Sequence, residues 1–167
     1  MFLFCTKPIC LPQVVQRRVR RWTGQAVPAT SIVSDFELSI LIAVNTEMPN
    51  AHVCPCYFHF CQSLWRRVLN VGLASAYREH ASVRKLIRKI MAVAFLPLPV
   101  LRNNVQLLVH SREWRTACRR FPAILAFFRY FDRVYMNDGG QFPPRLWNVY
   151  NRSVNTRTNN YMEGMKQ

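Results

Sequence analysis

Acidic side chains are scarce in this chain. Among 167 residues only eight are Asp or Glu, against 23 Lys or Arg, leaving a formal net charge of +15. None of the eight acids stands in residues 1–34. Lysine is scarce too, at Lys7, Lys85, Lys89 and Lys166. The excess is therefore arginine, whose planar fork grips phosphate at two points and suits a polyanion such as DNA. The competing reading is an ordinary solvated helix surface. Long apolar runs are missing as well. The longest, residues 90–101, contains Pro97 and Pro99 and is too short to span a bilayer. The apolar start Met1-Phe2-Leu3-Phe4 meets Lys7 and Pro8 before it can act as a signal sequence. Six cysteines (Cys5, Cys10, Cys54, Cys56, Cys61, Cys118) lack the spacing of a small secreted framework. Reduced thiols in a nuclear or cytoplasmic protein, not a secreted one, are expected. No internal repeat or low-complexity tract is present.

What is present reads as one domain with a core, since half the residues are hydrophobic. Residues 1–10 show no period. Leu11, Val14, Val15, Val19 and Trp22 predict a helix with Arg17, Arg18, Arg20 and Arg21 on its other face, stopped by Gly24. Residues 29–34 predict a buried strand around Ile32 and Val33. A helical stripe follows through Phe36, Ile40, Ala43, Val44 and Met48, ended by Pro49-Asn50. Aromatic-rich residues 53–60 predict a second strand, so the three elements form a βαβ unit with a parallel pair. Beyond Phe60 the pattern is helical for most of the remaining chain. The stripes are Leu64, Trp65, Val68, Leu69 and Leu73, then Val83, Leu86, Ile87, Ile90 and Met91. A shorter helix is expected through residues 105–109, and another over residues 123–135. Asp138-Gly139-Gly140 predicts a turn, and residues 142–150 an extended or irregular link.

Several motifs stand in a fixed order. Asp35-Phe36-Glu37 follows a β-branched strand, then come Cys56-Tyr57-Phe58-His59-Phe60 and Gln62-Ser63-Leu64-Trp65-Arg66. Far downstream stand Phe142-Pro143-Pro144-Arg145-Leu146-Trp147-Asn148-Val149-Tyr150 and Thr156-Arg157-Thr158-Asn159-Asn160-Tyr161-Met162-Glu163. This series, over roughly residues 30–167, resembles that of Mutator-like element (MULE) transposases. The resemblance implies an α/β fold: a partial ribonuclease H-like core carrying a large all-α insertion, mostly helical overall. Residues 1–28 would be an N-terminal segment with a basic helix, and 29–61 the strand–helix–strand part of the core. Residues 62–155 would be the helical insertion, and 156–167 the start of the last core helix.

The same resemblance implies DDE chemistry. Three carboxylates hold two divalent cations, Mg²⁺ or Mn²⁺, about 3.5–4 Å apart for in-line phosphoryl transfer on DNA. Asp35 takes the place of the second acid and Glu163 of the third, both as metal ligands. Cys56 and His59 match the Cys-x-x-His near the family's site. The first acid has no counterpart, because residues 1–34 hold none. Relative to the family, the chain therefore reads as truncated at both ends and catalytically dead alone, binding metal poorly. The expected partner is DNA, with no membrane, and with a homo-oligomer in an intact transposase. The rival expectation is a non-catalytic DNA-binding or interaction module derived from a transposable element, and a third is a product unable to fold.

Each residue also has a plainer reading. Asp35 could cap the helix that follows. Asn160 and Glu163 have the spacing of a capping box, and Glu37 suits a first helical turn. Cys54, Cys56, His59 and Cys61 suggest zinc by composition. On one regular strand, however, Cys54 and Cys56 would face away from His59 and Cys61, which opposes a tetrahedral site.

Overall fold

The computed structural model describes residues 2–5, 17, 20, 21, 24, 31–34 and 38–152. They belong to two compact units, one of residues up to Phe60 and one spanning Cys61–Arg152. The described residues are mostly helical, with one three-stranded sheet among them.

The sheet joins β1 (Phe2–Cys5), β2 (Ser31–Ser34) and β3 (His52–Pro55) in that order. Both pairings are parallel, with Phe2 opposite Ser31 and Ser31 opposite His52. β2 carries the buried Ile32 and Val33, and β3 the buried Val53 and Cys54. Helix α1 (Leu38–Glu47) is the crossover that a parallel pair needs. Its buried Leu41, Val44 and Met48 recur at helical spacing, and the Met48 N–H still reaches the Val44 carbonyl at 2.8 Å.

Two readings change here. Within residues 1–10, which show no period, residues 2–5 form β1. A strand of four residues is too short for a period, and its partner lies far along the chain. The second strand does not run from Val53 to Phe60. It ends at Pro55, and α2 (Tyr57–Asn70) begins two residues later. The Phe60 N–H already bonds the Cys56 carbonyl at 3.1 Å. Tyr57, Phe58 and Phe60 suit a strand by propensity, but the surroundings outweigh so weak a preference.

The second unit is helical throughout. α2 ends in a Schellman motif: Gly72 adopts φ +75°, its N–H bonds the Leu69 carbonyl, and the Leu73 N–H bonds that of Val68. Leu73 and Val68, both buried, are the apolar pair that accompanies this cap. α3 (Ala74–Glu79) and α4 (Ala81–Ala92) meet at His80, which leaves the helical region at φ −113°, ψ 110°. Arg84 reaches back to the Tyr77 and Arg78 carbonyls at 3.2 and 2.9 Å, satisfying the end of α3. Val83, Leu86, Ile87 and Ile90 form the buried stripe of α4. A 3₁₀ turn over Val93–Phe95 leads to α5 (Leu98–Val109), then α6 (Arg112–Arg120) and α7 (Ala123–Phe131).

The helix expected over residues 123–135 changes character after Phe131. Asp132–Met136 is a π-helical turn. A five-residue repeat brings Met136 onto the side of Phe131, so Tyr135 and Met136 are both buried. The segment expected as a link over residues 142–150 is instead part of the core. Phe142, Pro143, Pro144, Trp147 and Val149 are buried around the short helix α8 (Pro144–Trp147). The Trp147 indole N–H donates to the Tyr135 and Phe142 carbonyls at 3.0 and 3.1 Å. The segment is laced to the 3₁₀ turn by the Val149 N–H to Ala94 (2.8 Å) and the Asn148 amide to Leu96 (2.7 Å).

Candidate nucleic-acid interface

Asp35 and Glu163, the two acids matched to the transposase site, lie outside the described residues. Cys56 and His59 are described. Cys56 is fully buried just past β3, and its N–H extends the ladder to the Ser34 carbonyl at 2.8 Å. It packs with Val33 and Cys54 in one apolar cluster. His59 is the third residue of α2, half-buried, with its ring edge-on to Phe58 at 5.4 Å. Cys56 and His59 thus hold the N-cap and N3 positions of a helix, not two positions on a strand. The face alternation used against zinc falls with the strand that carried it. Among the described residues, no three His, Cys, Asp or Glu side chains come together as a metal-ligand group. Cys54, Cys56, Cys61 and Cys118 are thiols, not disulfides.

The basic residues are largely in view. Arg17, Arg20 and Arg21 are helical and exposed, and the Gly24 N–H bonds the Arg20 carbonyl at 2.9 Å with Gly24 at φ +70°. In the unit Cys61–Arg152, sixteen Arg or Lys face four acids, Glu79, Glu113, Asp132 and Asp138. Among the described residues the ion pairs are Lys85–Glu113 (3.2 Å), Lys89–Glu113 (2.9 Å) and Arg102–Asp138 (2.8 Å). Too few carboxylates exist for the other cations, so the unit keeps a large positive excess on its surface.

Eight of the sixteen cations belong to α4 (Arg84, Lys85, Arg88, Lys89) and α6 (Arg112, Arg115, Arg119, Arg120). Ser111 caps α6, its hydroxyl accepting the Trp114 N–H at 3.1 Å. Glu113 in the first turn and Arg119 and Arg120 in the last suit the helix dipole. Trp114, Ala117 and Cys118 are buried; Arg112, Thr116 and Arg120, four residues apart, form an exposed stripe. Opposite stand Ser82 and Lys85 of α4. Between them lies a cleft of about 510 Å³ with an apolar floor that includes Leu86, Ala117 and Phe121. Phe121 is braced by His80, ring to ring at 4.7 Å, and by the Arg120 guanidinium 5.3 Å from its centre. Glu113 spans the two helices. Its hydrogen bonds to Lys89 and then Lys85 hold its carboxyl below the usual range. Burial pushes the Cys118 thiol up, away from the reactive thiolate.

Sequence reasoning singled out neither α6 nor this cleft. The available traces were a Ser followed by an acid two residues on, and arginines at positions 112 and 120, two i, i+4 steps apart through Thr116. These were masked by a general abundance of arginine. Among the described residues no helix is long and apolar enough to cross a membrane. The chain matches no family model, no curated protein and no solved structure.

Proposed function

We propose that this chain is a segment of a Mutator-like transposase that binds DNA through its helical unit and does not cut it by itself. The observation that carries the binding part is the charge of that unit, sixteen cations against four acids. Exposed arginines on several helices supply phosphate contacts without needing a particular base sequence. The ordered motifs from Asp35 to Glu163 support the transposase origin. The three parallel strands with a helical crossover support a ribonuclease H-like core.

The non-catalytic part rests on the sheet. A carboxylate sharing metal ions with Asp35 would have to stand on a strand beside β2. β1 and β3, its two neighbours, hold Phe2, Leu3, Phe4 and Cys5, and His52, Val53, Cys54 and Pro55. Neither offers an acid. Asp35 and Glu163 alone would leave a pair of Mg²⁺ or Mn²⁺ ions short of oxygen ligands. The free thiols among the described residues and a DNA partner support a nuclear or cytoplasmic setting, the nuclear one being where DNA is met.

The test is DNA binding by fluorescence anisotropy on a short duplex over roughly 50 to 200 mM salt, beside a plasmid-nicking assay with Mg²⁺ or Mn²⁺. The logarithm of the affinity should fall linearly with the logarithm of salt, and the plasmid should stay intact. Binding indifferent to salt would overturn the polyanion reading. Nicking that disappears in Asp35→Ala would overturn the non-catalytic one.

A further inference from the structure

We infer that the cleft between α4 and α6 holds one nucleotide, its phosphate gripped by Lys85, Arg112 and Arg120 and its base laid on Leu86, Ala117 and Phe121. The inference rests on the nucleic-acid reading above and adds to it a defined pocket and a preference for unstacked bases.

Three observations combine in it. First, the volume of about 510 Å³ lies within the range of sites that take small molecules, so the cleft admits a ring rather than a single ion. Second, its lining is divided by chemistry. Three cations stand above an apolar floor that includes an aromatic ring, and the hydroxyls of Ser82 and Thr116 lie among them. A nucleotide has the same division, an anionic phosphate joined to a flat, largely apolar base. Third, the acid in the cleft is already engaged. Glu113 accepts from Lys85 at 3.2 Å and Lys89 at 2.9 Å, so it does not cancel the two arginines. Lys85 can turn from Glu113 toward a phosphate while Lys89 keeps the carboxylate neutralised. The Arg120 guanidinium rests over the Phe121 ring, 5.3 Å from its centre, and on turning to the phosphate it uncovers that face for the base.

A duplex cannot use such a site, because its bases are stacked and paired inside the helix. The occupant is therefore a nucleotide of a single strand, or a free nucleotide with the same chemistry. An acidic peptide would satisfy the cations but would leave the ring and its apolar floor without a flat partner.

The experiment uses the full chain and a fluorescein-labelled oligothymidylate, with dAMP and an oligo-aspartate as competitors. Arg112→Gln with Arg120→Gln removes two cations from the cleft while preserving helix propensity. Arg129→Gln with Arg133→Gln removes two exposed cations that do not line it. The cleft pair should weaken oligothymidylate binding about tenfold or more and the control pair about twofold, because bidentate phosphate contacts are lost only in the first. Phe121→Leu should weaken it about fivefold or more through lost stacking, with circular dichroism verifying the fold. If dAMP competes as strongly per molecule as the oligonucleotide, the occupant is a free nucleotide; if the strand wins, it is a nucleotide within DNA or RNA. Equal losses in the two arginine pairs would overturn the cleft assignment, as would oligo-aspartate displacing the strand more readily than dAMP. If duplex binding keeps its salt dependence while the cleft variants change nothing, the pocket is wrong and the DNA-binding reading stands.

Discussion

Tyr135 joins the parts of the helical core through both its ring and its backbone. The ring is 1% exposed and stacks on Phe131 and Phe142 at 6.0 and 5.7 Å. The hydroxyl meets that of Ser63 at 2.8 Å, and the carbonyl accepts from Trp147. Burial pushes the phenol up, so it stays neutral across the physiological range. Tyr135→Phe keeps the stacking and loses the hydroxyl's hydrogen bonds to Ser63 and Tyr130, so urea denaturation should show a loss of about 1–3 kcal/mol. Trp147→Ala removes the largest fully buried side chain among the described residues and leaves a cavity, with an expected loss of about 3–5 kcal/mol. Glu113 gives a pH signature at the surface. Its folded value lies below the ordinary 4.5, so its tie to Lys89 and Lys85 is complete above that pH. The tie is lost as pH falls through the lowered value. Acid titration followed by NMR of the Glu113 carboxyl should give a midpoint below 4.5, and Lys89→Ala should move it up toward that value.

Among the elements, the helices with one clean apolar stripe were the legible ones. Val83, Leu86, Ile87 and Ile90 were read as one face of a helix, and all four are buried on α4. The βαβ arrangement was equally legible, because Val33, Val44 and Val53 belong to periods that change from strand to helix and back. β1 was not, since nothing near Phe2–Cys5 signals a partner at Ser31–Ser34. Residues 142–150 read as a link, yet Pro143 and Pro144 start the α8 turn that carries Trp147 inward. Proline reports the loss of an N–H and says nothing about where the next indole goes. The site was legible as charge but not as a place, because a cleft depends on which faces of α4 and α6 meet. Of the caps, Gly72 is the most demanding. An added Cβ would meet open space there, so Gly72→Ala should cost only the left-handed backbone, about 1–2 kcal/mol in thermal or chemical denaturation.

For the molecule as a whole, the two units draw on different kinds of contact. The helical unit contains its own aromatic core from Tyr135, Phe131, Phe142 and Trp147, and its helices are built from neighbours in sequence. A fragment of residues 57–152, which keeps α2 whole, should melt cooperatively with a helical circular dichroism spectrum. A gradual, uncooperative melt would show that it depends on the sheet. The sheet, by contrast, pairs Phe2 with Ser31 and Ser31 with His52, and every such pairing must close a long loop first. Contacts of that kind form slowly, whereas helices form on roughly microsecond scales. The parallel strands thus impose an order in time that runs against the order of synthesis: β1, made before β2 and β3, is among the last elements to find its place. The buried thiols provide the clock. Cys118 sits in the helical unit, Cys54 and Cys56 in and beside the sheet. In pulsed alkylation during refolding, Cys118 should become protected first, and Cys54 and Cys56 together in a later phase.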